Sequence, residues 1–363
     1  MKNSFGSSVS VTLFGESHGQ QIGVVIDGMA PGIEIDSDFI CAQLSLRRPK
    51  GKISTARREA DEYTIVSGVF EGRTTGTPIC ILIPNADTKS KDYSATRALA
   101  RPGHADYTAN CKYHGFEDYR GGGHFSGRIT APLVAAGAIA ISALKKKGIL
   151  VGTHIKNCGG VSDRNFENPE SDILELNSKE FAVLSDESAK KMNEAILAAA
   201  SEGDSVGGIL ETAVTGVPAG VGEPWFDSVE SVLSHILFSI PGIKGVQFGL
   251  GFDFASKKGS EANDSFYMNG STVATSTNNN GGINGGITNG MPIMFSCAVK
   301  PTPSIYKTQN TVDFINKADS QISLQGRHDP AIIHRARVVV DSVTALALCD
   351  MLCGRYGTDW LAM

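Results

Sequence analysis

Apolar and polar residues alternate, or apolar residues run together in short blocks, in several stretches that predict β-strands. Alternation places one face of a strand in the core, whereas a short apolar block indicates a strand that is buried on both faces. The predicted strands cover 9–14, 22–27, 79–83, 208–215 and 291–299.

Helical periodicity with capping residues predicts helices along the same chain. The clearest covers 130–147, where Thr130 is the expected cap, Pro132 lies in the first turn and three lysines complement the dipole at the C-terminal end. The other predicted helices cover 36–46, 187–201, 228–238 and 341–353. This mixture of strands and helices indicates a mixed α/β class and nothing narrower.

The order strand, glycine turn, helix occurs twice, at 25–36 and at 214–227, with the glycines four residues apart each time. A duplicated half-domain would produce such an echo. Two short matches also arise by chance, and coincidence is the preferred interpretation.

The segment 257–290 is polar and low in complexity, with asparagine and glycine repeated at 278–286. Such composition is typical of a disordered surface loop. The alternative is a mobile lid whose glycines approach a ligand. The strand and the Lys300–Ser304 segment that follow at once favour the lid. Nothing in the segment resembles a domain linker, and by length alone 1–363 could form one large domain or two of ordinary size.

Bulk composition is that of a globular protein, with 41% hydrophobic and 20% charged residues. No apolar run approaches the ~20 residues of a membrane span, and the N-terminal residues lack the apolar stretch of a signal peptide. Seven cysteines without a CxxC pair indicate free thiols in a reducing compartment, and we expect the cytoplasm. Cysteines and histidines are not clustered at ligand spacing, so no metal is expected.

The chain has a net charge of −5, which gives no support to nucleic acid as a partner. It nevertheless concentrates arginines beside glycines, and glycine is enriched, at 41 of 363 residues. The arginines at the end of the helix 36–46 could merely complement its dipole, worth about 0.3–1 kcal/mol. So many cations in an acidic chain favour a ligand with several negative charges, since guanidinium matches carboxylate and phosphate geometry.

Histidines in glycine-flanked turns are the candidates for proton transfer, namely His18 in the turn 15–19 and His104 in the turn 101–106. A lone histidine is more often structural than catalytic, so neither histidine alone is sufficient evidence of a catalytic role. Asp329, in the third such turn at 326–330, either orients or deprotonates a partner or simply forms an ion pair. The histidines interpreted as structural are His114, His154, His235 and His334.

A glycine-rich loop at 120–128 precedes the clearest helix and resembles a phosphate-cradling loop. It lacks the GKS or GKT ending of a Walker loop. A simple glycine turn before a helix is the alternative interpretation.

Six segments taken together resemble the signatures of the chorismate synthase family, in the family's order and over almost the whole chain. They are Gly15-Glu-Ser-His-Gly19, Arg101-Pro-Gly-His-Ala-Asp106, Gly203-Asp-Ser-Val-Gly-Gly208, Gly216-Val-Pro-Ala-Gly220, Lys244-Gly-Val246 and Gly326-Arg-His-Asp-Pro330.

The resemblance implies conversion of 5-enolpyruvylshikimate 3-phosphate to chorismate, the last common step of the shikimate pathway toward aromatic amino acids. This carbon–oxygen lyase reaction is a 1,4-anti elimination of phosphate and a ring proton, and it requires reduced FMN although no net redox change occurs. The implied fold is α+β, a single-domain β-α-β sandwich with helices packed between antiparallel sheets, in a homotetramer. The family is also associated with NADP. Because the chain shows no extra domain and no GxGxxG after a strand, we expect a separate supply of reduced flavin.

The resemblance also assigns roles to individual residues. His18 would protonate the departing phosphate, His104 would hold or protonate the reduced flavin, and Asp329 would take part in proton transfer. The substrate-binding positions are Arg48, Lys52, Arg101, Arg128 and Arg327. The flavin-binding positions are Arg47, His124, Phe125, Ser126, Gly242, Gly285, Lys300, Pro301, Thr302, Pro303, Ser304 and Arg327, and the segment 257–290 would be a mobile loop over the flavin site.

This chain departs from the family at three places. The usual loop reads Gly-Gly-Gly-Arg-Ser-Ser, whereas here His124 and Phe125 follow the glycines. His124 could still donate to a phosphate, and Phe125 could pack on flavin or substrate. Lys52 stands where many members have arginine, and Pro241-Gly242 replaces a more polar pair.

Two other classes of function remain as alternatives. A flavoenzyme with net hydride transfer to a phosphorylated substrate would need an added acceptor, whereas the elimination needs only catalytic reduced flavin. A non-catalytic binding protein for phosphorylated metabolites would lose nothing measurable when His18 and His104 are changed.

Overall fold

The computed structural model describes residues 2–49, 51, 53–54, 60–86, 97–324 and 329–363. Its helices are α1 Ser37–Arg47, α2 Asp106–Tyr113, α3 Thr130–Lys146, α4 Pro169–Ser178, α5 Asp186–Ser201, α6 Val229–Leu237, α7 Gly259–Ala262 and α8 Ile333–Tyr356. Its strands are β1 Ser4–Phe5, β2 Ser10–Gly15, β3 Gln21–Asp27, β4 Thr64–Ser67, β5 Val69–Phe70, β6 Arg73–Thr74, β7 Ile79–Pro84, β8 Leu150–Cys158, β9 Val161–Ser162, β10 Gly208–Thr215, β11 Ile243–Phe248, β12 Phe266–Asn269, β13 Thr272–Thr275, β14 Ile283–Asn284, β15 Ile287–Thr288, β16 Ile293–Val299, β17 Gln309–Asp313 and β18 Ala318–Ile322.

Two five-stranded antiparallel sheets carry the fold. The first has the order β1-β2-β3-β7-β4 and the second the order β11-β16-β10-β8-β9. Helix α3 packs on β3 and β7 of the first sheet, α8 packs on β8 and β10 of the second, and the two helices pack on each other. The prediction of helices between antiparallel sheets is therefore confirmed.

The second sheet is covered on both faces. Neighbouring residues of β8 point to opposite sides, as strand geometry requires. Thr153 donates its hydroxyl proton to Asp341 of α8 at 2.6 Å, while a Cβ on Gly152 would stand 2.9 Å from Ile173 of α4. Helix α4 thus forms an outer layer over the face that α8 leaves open.

Close backbone contact joins the two central helices. A Cβ on Gly137 of α3 would stand 2.2 Å from Cβ of Ser342 on α8, so only glycine fits at this crossing. Among the described residues, the helical stretch Gly127–Lys146 is long and apolar enough to cross a membrane. Its most apolar part is 83% buried inside the fold, where α3 forms part of the core.

Helix α8 also holds the start of the first sheet. One carboxylate oxygen of Asp350 accepts hydrogen bonds from the backbone N–H groups of Ser7, Ser8 and Val9 at 3.0, 2.6 and 3.0 Å. Three N–H groups that precede β2 are therefore satisfied by a side chain from the other end of the fold.

Three sequence predictions need correction. Thr130 is the first helical residue of α3 rather than its cap, since Ile129 occupies the cap position and Thr130 donates to the carbonyl of Gly127 at 2.6 Å. The last helix begins at Ile333 instead of 341. The interpretation of 257–290 as a structureless loop is wrong, because this segment contains α7 and two hairpins. Asp264 accepts hydrogen bonds there from Thr277, Asn279 and Asn280.

Candidate active site

An open cleft of about 2050 Å³ gathers segments that are far apart in the sequence. Its wall includes the end of β2, the end of α1, the turn before α2, the glycine-rich loop before α3, the turn between α6 and β11, and the segment that follows β16. The turn that carries His18 and the turn that carries His104 therefore lie at one surface.

Most of the predicted site residues line this cleft. They are His18, His104, Asp329, Arg47, Arg48, Arg101, His124, Phe125, Ser126, Arg128, Gly242, Lys300, Pro301, Thr302, Pro303 and Ser304. Lys52 and Arg327 lie outside the described residues. Gly285 does not line the cleft, because it occupies the turn between β14 and β15, where its φ is 63°.

The loop Gly121–Gly123 forms the floor between the two candidate histidines. All three glycines have positive φ, which places their backbone where a side chain would be strained. A Cβ on Gly121 would stand 2.1 Å from Cε1 of His18, and a Cβ on Gly122 would stand 3.2 Å from Cε1 of His104. The glycines are needed because both imidazole rings lie directly against the loop.

His18 is 7% exposed and its ring is oriented by Ser17. The Ser17 hydroxyl donates to the carbonyl of Arg120 at 3.2 Å, so at 3.1 Å it accepts from Nδ1 of His18. This arrangement favours the neutral tautomer with its proton on Nδ1.

His104 belongs to a compact cluster with Arg101 and Asp106. Its Nδ1 donates to Asp106 at 2.9 Å, and Arg101 contacts the same carboxylate through Nε at 2.8 Å and a terminal nitrogen at 2.6 Å. Burial alone would raise the pKa of Asp106, but the hydrogen bonds and charges of Arg101 and His104 outweigh it and hold that pKa well below its usual range. Asp106 was not among the predicted site residues, although it stands in the motif that pointed to His104.

A second buried carboxylate joins two of the predicted arginines. Asp61 pairs with Arg47 at 2.6 Å and with Arg128, and its side chain has no exposed surface. Arg128 also donates to the side chain of Asn85 and to the carbonyl of Pro84, each at 3.0 Å. Burial opposes ionisation of Asp61, but the two guanidinium groups outweigh it and lower its pKa. Asp61 was not among the predicted site residues.

Asp329 pairs with Arg335 in the first turn of α8. Arg335 lines the cleft and reaches the carbonyl of Arg47 at 3.4 Å. It was also missed, because the predicted helix began after it. The ion pair with Arg335 is present, and the role of Asp329 in proton transfer stays a prediction.

The segment after β16 is fastened to the turn that carries His104. Lys300 donates through Nζ to the carbonyl of Gly103 and through its backbone N–H to Gly242 at 2.9 Å. The carbonyl of Thr302 accepts from Ser205 at 2.7 Å, whereas the buried Thr302 hydroxyl has no partner among the described residues. A ligand atom that can hydrogen-bond would satisfy that hydroxyl.

His124 and Phe125 have local partners. Nδ1 of His124 donates to the carbonyl of Gly15 at 2.8 Å, which ties the glycine-rich loop to the end of β2. The Phe125 ring packs edge-to-face on Tyr113 with 6.1 Å between centroids and still lines the cleft.

The four other histidines among the described residues occupy different surroundings. His154 is buried between Asp163 and Glu211, and His334 accepts or donates a 2.7 Å hydrogen bond with Ser54. His114 caps α2 in the left-handed conformation, and His235 packs against Phe5 at the cleft wall.

Comparison with known proteins gives one consistent result. The family model described as chorismate synthase matches residues 9–353. The chorismate synthase of Thermococcus gammatolerans is 47% identical over 351 residues, which cover 96% of this chain and 97% of that protein. The chorismate synthase of Pyrococcus abyssi is 48% identical with the same coverage. A crystal structure of a chorismate synthase superposes with a TM-score of 0.77 at 27% identity and covers 98% of this chain and 94% of that one.

Proposed function

The chain belongs to the chorismate synthase family, and on that premise we propose that it converts 5-enolpyruvylshikimate 3-phosphate to chorismate. In this reaction the ring carbon loses its bond to the phosphate oxygen, a second ring carbon loses a proton, and a new double bond forms. The proposed enzyme is therefore a lyase with no net redox change.

The observation that carries the proposal is the placement of His18 and His104 against one glycine loop in a cleft lined with arginines. Two titratable rings in one cleft can serve two proton transfers. The surrounding cations suit a substrate that carries two carboxylates and a phosphate.

In this assignment the cationic residues bind the substrate. Arg48 and Arg101 line the cleft, and the Nε of Arg48 is buried without a partner among the described residues. Arg128 contributes its charge from a buried position. Lys52 and Arg327 complete the proposed set. Enclosing these cations with an anion strengthens each contact because the local dielectric falls.

The proposed cofactor is reduced FMN, and the residues present fit such a group. The unpartnered hydroxyl of Thr302 lies in the segment 300–304 that lines the cleft. That segment, together with Arg47, Gly242, Arg327 and the loop 124–126, would hold the cofactor. Bound there, reduced FMN would supply electron density to the substrate and recover it, so that no net redox change results. Gly285 remains a prediction for this role, although it lies outside the cleft wall.

Three residues of the chain hold or move protons in this proposal. His18 donates a proton to the departing phosphate from a buried position in the cleft that the arginines also line. His104, whose ring is oriented by Asp106, would hold or protonate the reduced flavin. Asp329, held by Arg335, takes part in removing the ring proton.

The test is formation of chorismate from 5-enolpyruvylshikimate 3-phosphate under anaerobic conditions, with and without chemically reduced FMN. We expect product only with reduced flavin and in many turnovers per flavin. Stoichiometric consumption of reductant would favour the rival oxidoreductase. Ligand binding without product would favour the rival binding protein.

We further propose that the protein forms a homotetramer, receives reduced flavin from a separate NADP-linked source, and acts in the cytoplasm. Exposed apolar side chains on the hairpin β12–β13, including Phe266 at 61% and Met268 at 63%, support association through that hairpin. All seven cysteines are free thiols, as suits a reducing compartment. Light scattering of the protein and of a Phe266→Ser, Met268→Ser variant tests the assembly. A tetramer that the substitutions disrupt is expected, and a monomeric parent protein would contradict it.

A further inference from the structure

The segment 203–208 is one of the six segments that resemble family signatures, and the proposed reaction uses none of its residues. It leads into β10, which pairs antiparallel with β16 from Gly208 opposite Val299. Beyond this pair the two chains continue side by side, 203–207 on one side and 300–306 on the other. The second stretch contains residues that are proposed to hold the cofactor.

The two stretches are in contact at both ends. At one end a Cβ on Gly207 would stand 2.9 Å from Cδ of Pro301, so the close approach leaves no room for a side chain. At the other end the N–H of Tyr306 donates to the carbonyl of Gly203 at 2.9 Å. The stretch 300–306 is therefore fixed against the segment that precedes β10.

Ser205 supplies the contact at the middle of the stretch. Its hydroxyl donates to the carbonyl of Thr302 at 2.7 Å. Pro301 and Pro303 flank Thr302, and neither proline has an N–H group that could extend the backbone pairing of β10 with β16. A side-chain hydroxyl thus fixes the chain at the point where these two positions cannot donate.

Thr302 brings an unsatisfied group to the cleft wall. The residue lines the cleft, and its hydroxyl is buried without a partner among the described residues. A buried hydroxyl that lacks a hydrogen bond costs free energy, and a ligand that supplies the partner recovers it. Because the flanking prolines restrict the backbone, the position of the Thr302 carbonyl limits where its hydroxyl can point.

We propose that Ser205 is a positioning residue for the cofactor. It holds the backbone of Thr302 so that the Thr302 hydroxyl forms a hydrogen bond with bound FMN. Ser205 is not among the residues that line the cleft, and it acts on the cofactor only through Thr302. The identity of the cofactor rests on the proposed function.

The test is anaerobic calorimetric titration of the full chain with reduced FMN, in the parent, Ser205→Ala, Thr302→Val and the double variant. Valine keeps the shape of threonine but has no hydroxyl. The matched control is Ser67→Ala, because the Ser67 hydroxyl also donates to a backbone carbonyl, that of Pro78 at 2.8 Å, and neither residue lines the cleft. Thermal unfolding of each variant measures the structural cost separately.

We expect Ser205→Ala and Thr302→Val each to weaken the binding of reduced FMN by about tenfold, which corresponds to about 1.4 kcal/mol. The double variant should bind FMN about as Thr302→Val does, because Ser205 acts through the Thr302 hydroxyl. Two independent effects would instead multiply to about a hundredfold. Ser67→Ala should bind FMN as the parent does.

Three results would overturn the proposal. The first is unchanged FMN affinity in Ser205→Ala, whatever its melting temperature. The second is a double variant whose loss is the product of the two single losses, since Ser205 would then affect binding without Thr302. The third is an equal loss in Ser67→Ala, which would make the loss a general effect of destabilisation.

A milder substitution covers the case in which Ser205→Ala fails to fold. Ser205→Cys then takes its place in the same set of variants, because a thiol is of similar size and is a weaker donor. It should still weaken FMN binding, and this loss should disappear when Thr302→Val is also present. Parent-like affinity in Ser205→Cys would then overturn the proposal.

Failure of the proposed function gives a different result. A parent protein that binds reduced FMN but forms no chorismate contradicts the proposed reaction, and the comparison of Ser205→Ala with the parent still decides the role of Ser205. A parent protein that binds no reduced FMN contradicts the proposed cofactor and, with it, the role of Ser205.

Discussion

Gly121 and His18 are in such close contact that a Cβ on the glycine would stand 2.1 Å from Cε1 of the imidazole ring. The next residue, Gly122, stands in the same relation to His104 at 3.2 Å. The glycine loop therefore acts as a spacer that sets the positions of both rings. Any side chain on it would move one of them.

Gly121→Ala should lower turnover by about 10²-fold, because even a shift of about 1 Å in a catalytic group can cost that much. Gly160→Ala is the matched control. Gly160 also has positive φ, at 84°, but a Cβ there would meet nothing within 4 Å. Steady-state turnover of both variants separates displacement of His18 from backbone strain alone. Equal losses in the two variants would contradict the spacer role.

His18→Ala and His104→Ala should each reduce turnover by ~10²-fold or more, as loss of a general acid or base commonly does. His114→Asn serves as the control, since His114 is exposed at the end of α2 and asparagine tolerates its left-handed conformation. Rates under saturating substrate and reduced flavin provide the measurement. Near-normal turnover in both alanine variants would remove the basis for the proposed proton transfers.

Two buried histidines should make the free energy of unfolding depend on pH in opposite directions. Burial alone would lower the pKa of His154, but Asp163 and Glu211 outweigh it and raise that pKa above 6.5. Its contribution to the free energy of unfolding is therefore complete below about pH 6.5 and is lost as the pH rises through the folded-state pKa. Urea unfolding between pH 6 and 9 should show a shallower fall for His154→Gln than for the parent.

For His334 the sign is reversed. Burial, with a smaller effect of Arg335, lowers its pKa from 6.5 to about 3. Its contribution is complete above about pH 6.5 and is lost as the pH falls from 6.5 toward 3, since the unfolded chain takes up a proton there first. His334→Gln should lose less stability on acidification than the parent does. Equal losses of stability on acidification in His334→Gln and in the parent would show that protonation of His334 does not destabilise the folded protein.

The segment 257–290 provides a test of the predicted mobile loop. Its hairpins are held by Asp264, and none of its residues lines the cleft. We expect its backbone amides to become protected from hydrogen exchange when reduced FMN and substrate bind together. Exchange that is the same with and without ligands, at constant oligomeric state, would leave it an ordinary surface segment.

The strands and helices that could be predicted are those whose buried faces are apolar. Strand β10 has the predicted bounds because apolar residues alternate with polar ones, or follow one another, along its length. Strand β8 was missed because Thr153 and His154 stand at buried positions, each satisfied by a partner from another element. The start of α8 was missed for the same reason, since Arg337 is 1% exposed there and pairs with Asp341.

The residues of the candidate site also differ in whether the sequence alone reveals them. Histidines and arginines beside glycines are visible in the sequence because glycine marks a close approach of the backbone. Asp61 carries no such mark, and its partners Arg47 and Arg128 are 14 and 67 positions away in the chain. Only the folded structure shows that one carboxylate serves both.

Helix α8 stands between the two sheets, and Asp350 near its end holds the N–H groups of Ser7, Ser8 and Val9. A ribosome releases the strands of the first sheet long before it releases this helix. Throughout that interval α3 can cover β3 and β7, but the side of α3 that packs on α8 has no partner. A chain interrupted before residue 350 therefore loses more than a helix, because the two layers that carry the cleft are never brought together.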